Sequence, residues 1–267
     1  MKVSIITATY NSEKFLEDCI VSIAQQSYPH IDHIIIDGKS NDGTISIIKK
    51  HESSISKWIS ESDKGMYDAI NKGMEMATGD IIGILNSDDM LDNKEVIASI
   101  VAAFQEKQVD CVYGDLEYVE PDNPSIIYRI WKGRPYKRSL FNLGWMPAHP
   151  TFYFKAPLFK QFGGYETHYY TAADYELMAR YLYKFKSTAY YLPKLFVKMR
   201  RGGQSNNNLR FRFRANRRDY LAMKRNRIPF PFFVSVLKPL SKLHQYKKVT
   251  AYFNRNHLFF LNAFHLF

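Results

Sequence analysis

Val3-Ser4-Ile5-Ile6-Thr7-Ala8-Thr9-Tyr10-Asn11 and, further on, Asp80-Ile81-Ile82-Gly83-Ile84-Leu85-Asn86-Ser87-Asp88-Asp89 are the two stretches that decide the fold. Each is a short apolar run that stops abruptly at polar residues, the pattern of a strand buried on both faces that ends in a solvent-facing loop. Between them the period changes repeatedly. Glu13 to Gln25 has helical spacing, with Phe15, Leu16, Cys19, Ile20 and Ile23 on one face. His33 to Ile36 reads as a strand, Gly43 to His51 as a helix, Lys57 to Ser60 as a short strand and Met66 to Ala77 as a helix. Strands alternating with helices predict an α/β fold with a mostly parallel central sheet flanked by helices. Such a sheet carries its ligands at the carboxyl ends of its strands, so Thr9-Tyr10-Asn11, Asp37 to Thr44 and Asn86 to Asp89 are expected in one cleft.

Beyond Asn93 the pattern predicts a helix to about Lys107 and a strand at Cys111 to Gly114. An irregular aromatic stretch follows through Tyr165, and then a helix from about Asp174 to Tyr183. The chain has 267 residues, of which 46% are hydrophobic and 24% charged, a composition that excludes disordered, collagen-like and disulfide-scaffold proteins. Its net charge of +11 is unevenly placed. From Phe196 onward there are 16 Lys and Arg against one acid, Asp219, leaving 21 basic and 25 acidic residues before it. A mildly acidic body thus carries a basic, aromatic C-terminal quarter suited to an anionic partner. Two cysteines and no secretory leader point to a reducing, cytoplasmic location. No apolar run reaches the roughly 18 residues needed to span a bilayer.

Asp88 and Asp89, adjacent at the end of a buried strand, are hard oxygen ligands of the kind that hold Mg²⁺ or Mn²⁺ against nucleotide phosphates; as a bare pair they are equally compatible with capping the next helix. The Asp37 to Thr44 turn places polar side chains and helix amides where a nucleotide can sit, or it is a plain strand-to-helix connection. It lacks both the dinucleotide glycine fingerprint and the phosphate-loop pattern.

In combination these segments resemble the family 2 glycosyltransferases, which have a GT-A, Rossmann-like fold. The carriers are the Val3 to Asn11 stretch, then Ile34-Ile35-Ile36-Asp37-Gly38-Lys39-Ser40-Asn41-Asp42-Gly43-Thr44, then Ser62-Asp63-Lys64-Gly65-Met66-Tyr67-Asp68-Ala69-Ile70-Asn71-Lys72-Gly73, and Ala77-Thr78-Gly79-Asp80 leading to Asn86-Ser87-Asp88-Asp89. The resemblance covers roughly residues 1–205. It implies inverting transfer of a sugar from a nucleotide-diphosphate sugar, most simply a UDP-sugar, to an acceptor hydroxyl. By that likeness Thr9, Tyr10, Asn11 and Asp37 lie at the base and ribose, with Asp63, Asp68, Lys72, Asn86, Ser87 and Asp89 along the same donor cleft. Asp88 matches the metal-binding carboxylate of the family's Asp-x-Asp motif, whose first acid is Asn86 here, and Mn²⁺ or Mg²⁺ is the implied cofactor.

Thr171-Ala172-Ala173-Asp174-Tyr175-Glu176-Leu177-Met178-Ala179-Arg180 resembles the segment bearing the family's general base, which makes Asp174 the candidate; a helix cap with Glu176 paired to Arg180 is the plainer reading. His149 in Pro147 to Tyr153 is expected to orient donor or acceptor, and Trp145, Tyr169 and Tyr170 to stack on sugars or pack in the core. Met199-Arg200-Arg201-Gly202-Gly203-Gln204-Ser205-Asn206 is expected as a loop over the diphosphate, Arg200 or Arg201 offsetting its charge.

The expected organisation is a catalytic domain over 1–205, with a nucleotide-sugar half (1–110) and an acceptor half (111–205), and a basic aromatic helical tail over 206–267. Arg210, Arg212, Arg214, Arg217 and Arg218, interleaved with Phe211, Phe213 and Tyr220, suit an anionic membrane surface, with Pro229 to Val234 and His257 to Leu261 as apolar contacts. A tail packed on the body with its charges in solvent is the alternative. No nucleic-acid module is present. The expected setting is therefore the inner face of a membrane, with a lipid-linked glycan as acceptor in surface polysaccharide assembly. Competing readings are a nucleotidyltransferase and a noncatalytic membrane- or nucleic-acid-binding protein.

Overall fold

The computed structural model describes residues 1–202 and 209–238. The elements run β1 (Val3–Thr9), α1 (Leu16–Ala24), β2 (Ile31–Asp37), α2 (Thr44–Lys50), β3 (Lys57–Ser60), α3 (Met66–Met76), β4 (Ile81–Ile84), β5 (Met90–Leu91), α4 (Val96–Lys107), β6 (Cys111–Glu120), β7 (Asn123–Trp131), β8 (Tyr153–Lys155), α5 (Ala156–Phe162), α6 (Ala173–Met178), β9 (Ala189–Arg200), α7 (Leu209–Arg225) and α8 (Pro231–Leu237). The described strands form one sheet in the order β3-β2-β1-β4-β8-β6-β9-β5, with β7 also on β6.

Pairing is parallel from β3 to β4, as the alternating pattern requires, and β6 pairs parallel with β9. The remaining pairings, β4–β8, β6–β8, β6–β7 and β5–β9, are antiparallel. Strands β7 and β8 come from the aromatic stretch that showed no clean periodicity. In β2, Ile34 and Ile36 enter the main core while Ile35 faces a second cluster with Leu16, Ile20 and Ile48. Burial on alternating faces explains the unbroken apolar run. Helix α3 lies so close to β1 that a Cβ on Gly73 would collide with Ile6 Cγ2, so the contact admits only glycine.

The polar segments expected in one cleft do follow strand ends. Thr9, Asp37 and Ser60 are register partners across β1, β2 and β3. Asp88 and Asp89 do not cap the next helix: β5 intervenes, and the Asn93 side chain accepts from the Glu95 amide instead (2.9 Å).

Helices α7 and α8 pack against each other and on the turns at 138–143 and 167–172, and α7 also packs on α6. Ala222, Met223, Ile228 and Val234 are buried there. Residues 215–238 thus rest on the body, as in the packed-tail alternative. The side chains of Arg210, Phe211, Arg212, Phe213 and Arg214, the Gly203 to Asn206 loop and the apolar His257 to Leu261 lie outside the described residues. Among the described residues no helix is long and apolar enough to cross a membrane.

Candidate active site

One side of the site is built on the ends of β1 to β4. Asp37 is fully buried, and its carboxylate accepts from the Ser40 amide (3.0 Å), the Ser40 hydroxyl and the Ser60 hydroxyl (2.6 Å). Next to it, Gly38 sits between Tyr10 and Asp63: a Cβ there would lie 3.3 Å from the Tyr10 ring and 2.6 Å from Asp63 Oδ2. Asp63 accepts from the Gly65 amide (2.7 Å), and Asp68 from the Lys64 amide (3.0 Å). Lys72 is tied to Glu61 at 2.7 Å, which raises its affinity for a proton, and stands 3.8 Å from Asp68. Thr9 Oγ1 is buried with no hydrogen-bond partner, an orphan beside this cluster that a ligand's polar group would satisfy. Asn11 accepts from the Asn41 amide (3.0 Å), and its own amide donates to Ser40 Oγ (2.8 Å), which joins the first two polar segments.

The Asn86 to Asp89 turn is the electrostatic centre. Asn86 Nδ2 donates to Asp89 (2.8 Å), and Ser87 Oγ bonds Ser12 Oγ (3.0 Å). Burial pushes the Asp88 carboxyl up, and burial plus the Asp88 charge push Asp89 well up. Two desolvated carboxylates side by side repel each other, a deficit of positive charge that a divalent cation would cancel. The chemistry of the pair therefore fits Mg²⁺ or Mn²⁺. No group of three or more His, Cys, Asp or Glu able to hold a metal occurs among the described residues, so further ligands would have to come from substrate or water.

Arg200, expected in a loop over the diphosphate, is instead the last residue of β9 and is buried beneath this turn. Its guanidinium donates to Asp88 O (3.0 Å), Pro121 O (3.0 Å) and Asp18, and lies 4.5 Å from the Phe15 ring centroid. Its amide donates to Asp89 Oδ1 at 3.3 Å. The antiparallel pairing of β9 with β5 is what brings it there, a long-range contact with no sequence signature. Arg201 is exposed, 3.4 Å from Glu120 and stacked on Tyr128.

Across the cleft stands a second cluster, and α3 is the shared wall. Tyr67 of α3 stacks on Tyr165 (centroids 5.1 Å apart), and Asn71 locks Tyr165 by two 2.8 Å hydrogen bonds to its backbone. Tyr165 OH and His149 Nε2 share a 2.6 Å hydrogen bond, and burial lowers the His149 pKa, so the imidazole is held neutral. Asp174, half-buried, lies within electrostatic reach of His149, Tyr67 and Tyr165, whose hydroxyls burial holds protonated. It is the second residue of α6 rather than its cap, and its Oδ1 accepts from the Tyr175 amide (2.7 Å). The Glu176–Arg180 pair is present, buried, at 2.8 Å, and Arg180 also holds the carbonyls of Phe162, Gly163 and Gly164.

Of the candidate stacking residues, Trp145 packs against the core and Tyr169 is buried, whereas Tyr170 is exposed. Tyr170 has φ 46° and ψ −119°, a strained backbone for a bulky residue, four positions before Asp174. The Arg218 guanidinium lies 4.3 Å from its ring centroid. Tyr67 and Asn71 lie inside one motif of the family resemblance and Tyr165 closes another, Phe162-Gly163-Gly164-Tyr165; sequence reasoning missed that the two meet, because Asn71 and Tyr165 are 94 residues apart.

The chain is similar to several known proteins. The chain is 32% identical over 187 residues to an uncharacterised glycosyltransferase of Mycobacterium tuberculosis, covering 67% of this chain and 68% of that one. It is 30% identical over 181 residues to a PGL/p-HBAD biosynthesis glycosyltransferase of Mycobacterium bovis (66% and 68%). A putative teichuronic acid biosynthesis glycosyltransferase of Bacillus subtilis is 39% identical over 90 residues (33% and 36%). Among solved structures, TarS of S. aureus superposes with a TM-score of 0.63 at 19% identity, over 84% of this chain and 39% of that one. A mannosyltransferase of Pyrobaculum calidifontis in complex with GDP-Man and Mn²⁺ gives 0.63 at 19% identity, over 91% and 70%. Residues 4–162 match the family model described as Glycosyl transferase family 2, and the chain belongs to that family of GT-A-fold glycosyltransferases.

Proposed function

We propose that the protein is an inverting glycosyltransferase that uses a UDP-sugar and a divalent cation, with Asp174 as general base. The observation that carries this reading is the Asp88–Asp89 pair just after β4, Asp89 buried and Asp88 half-buried, with a further acid, Asp174, near Tyr67 of α3. TarS has been solved with UDP and with UDP-GlcNAc, and the Pyrobaculum mannosyltransferase with GDP-Man and Mn²⁺, which supports a nucleotide-sugar donor.

In this reading Tyr10, Gly38 and Asp63 frame the base and ribose, and Thr9 supplies the free hydroxyl. Asp88 would hold the cation with Asp89 supporting it, and a bound cation would supply positive charge to the departing diphosphate. Asp174 removes the proton of the acceptor hydroxyl, the new bond forms between that oxygen and the anomeric carbon, and the bond from that carbon to the diphosphate oxygen breaks on the opposite face. The neutral His149–Tyr165 pair and Tyr67 fix the surroundings of Asp174 without competing for its proton.

Relatives named for teichuronic acid and PGL/p-HBAD biosynthesis support a glycan or lipid-linked acceptor in surface polysaccharide assembly, and the basic C-terminal quarter supports a peripheral site at the inner face of the membrane. The test is incubation of the protein with UDP- and GDP-sugars and Mn²⁺, followed by separation of the nucleotide products. Nucleoside diphosphate is expected, lost in Asp174→Asn and Asp88→Ala variants that melt like the parent. Release of sugar 1-phosphate instead, with the nucleotide carried to the acceptor, would refute sugar transfer and favour a nucleotidyltransferase.

A further inference from the structure

The turn between α7 and α8 presents an apolar crest. Phe230 is 75% exposed, Phe232 64%, Phe233 65% and Val236 53%, large apolar side chains open to water within seven positions. Isolated exposed apolar residues are ordinary, but several aromatics within seven positions mark a contact surface. Phe232 and Phe233 meet edge to face at 5.7 Å. Phe230 has φ 52° and Arg227 φ 58°, left-handed backbone that bulky side chains rarely adopt, so the turn is held in a strained form that leaves Phe230 in solvent.

That strain is maintained by a firm base. The amides of Asn226, Arg227 and Ile228 bond back to Ala222, Lys224 and Met223, and Asn226 Nδ2 donates to the buried Glu176 (3.1 Å). Ala222, Met223, Ile228 and Val234 are buried on the body. On the same hairpin the exposed charges among the described residues are cationic: Arg217, Lys224 and Arg227, with Arg225 paired to Glu166 at 3.2 Å. The one acid in this part of the chain, Asp219, is neutralised by Lys238 at 2.6 Å. Exposed aromatics and exposed cations on one hairpin match an anionic lipid surface, whose headgroups take the charges while the rings enter the acyl boundary. A second copy of this chain fits poorly, because face-to-face pairing would bring two basic surfaces together.

We infer that the α7–α8 hairpin docks the protein on anionic phospholipid, with Phe230, Phe232, Phe233 and Val236 as the inserting residues. This deepens the membrane contact proposed above and rests on it. Because α7 packs on α6 and on the 167–172 turn, the docking element is fastened to the part of the fold that carries Asp174, and a lipid-linked acceptor would be met on that side.

The test is flotation of the full-length protein with vesicles of phosphatidylcholine alone and with about 30% phosphatidylglycerol, the composition being chosen near the anionic content of a charged leaflet. The parent is expected to float with the anionic vesicles and to be released by about 0.5 M salt. Phe232→Ser/Phe233→Ser, which leaves every active-site residue in place, is expected to bind about tenfold or more weakly at an unchanged melting temperature and unchanged donor hydrolysis. If the parent fails to float, membrane contact as a whole is wrong. If the parent floats and the double variant floats equally, the crest is not the contact and the inference is overturned. A concentration-dependent dimer that the double variant abolishes, without vesicle binding, would also overturn it in favour of self-association.

Discussion

Replacing Arg200 by methionine separates a residue that holds the Asp88–Asp89 turn from one that touches the diphosphate. The side chain of Arg200 is 3% exposed, and its guanidinium bonds Asp88 O and Pro121 O at 3.0 Å as well as Asp18. Methionine fills much of the same volume but leaves both carbonyls without their charged donor. A buried hydrogen bond to a charged group contributes about 1.5–3 kcal/mol. Asp18 is 57% exposed, so its half of the ion pair is screened and adds less than about 1 kcal/mol. The substituted side chain keeps contact with Phe15 but loses the cation–π attraction. The expected cost is therefore roughly 3–5 kcal/mol, which for a protein of this size is a fall in melting temperature of about 6–20 °C. The Arg201→Met control, whose pair with Glu120 is exposed, should cost under about 1 kcal/mol. Differential scanning fluorimetry gives both numbers. A second scan with UDP and Mn²⁺ reads how much ligand stabilisation survives once the turn is loosened. An Arg200→Met protein that melts within about 2 °C of the parent while its donor KM rises would refute this reasoning. It would restore the role in the diphosphate contact that the sequence suggests.

Asp88→Asn should raise the melting temperature of the ligand-free protein, because burial and then the Asp88 charge raise the Asp89 pKa and the substitution removes the second of these, while abolishing stabilisation by Mn²⁺ with UDP; a variant that melts lower than the parent without ligand would contradict the electrostatic account. Because the folded chain raises both carboxyl pKa values, their protonation favours folding. That contribution is complete below the ordinary carboxylate range, about 4, and lost as pH rises through the elevated folded values. The thermal shift produced by Mn²⁺ and UDP should therefore grow from about pH 5 to about pH 8, measured as the difference between scans with and without ligand. Asp174→Asn should lower kcat about 10²–10⁴-fold with donor affinity unchanged, read by product release and by donor titration, since a base acts in the transition state and not in donor binding. Gly38→Ala should weaken donor binding at little cost in stability, because its methyl would press on Asp63 and the exposed Tyr10 ring rather than on the core; isothermal titration with UDP checks it.

Much of the donor half was legible from local order. The runs ending at Thr9, Asp37 and Ser60 are strands at or close to the predicted positions, and the segments after them converge because parallel strands place their carboxyl ends at one edge of the sheet. The helices Gly43 to His51 and Met66 to Ala77 were predicted to within a residue at each end. The acceptor half was less so. The strand from Cys111 continues to Glu120, past the predicted end at Gly114, and β7, β8 and α5 emerge from a stretch without regular period. Their register is set by long-range pairing and aromatic packing, which override local pattern. The helix from Asp174 was legible, but not the change to π-helical winding at Ala179–Lys184.

The sequence alone determined which residue types were available and at which strand ends: adjacent acids after β4, an acid after β2, a second acid at the start of a helix, and a basic tail. These are local facts, because a strand's buried face and its terminating polar residues are written consecutively. Tertiary structure alone decided what those residues touch. It put Arg200 at the end of β9 against the Asp88–Asp89 turn, made α3 the wall between Asp63 and Asp174, and left three phenylalanines of the tail in water while burying Met223 and Ile228. Each of those outcomes depends on contacts between segments tens to more than a hundred residues apart, and only packing of the whole chain brings such partners within reach.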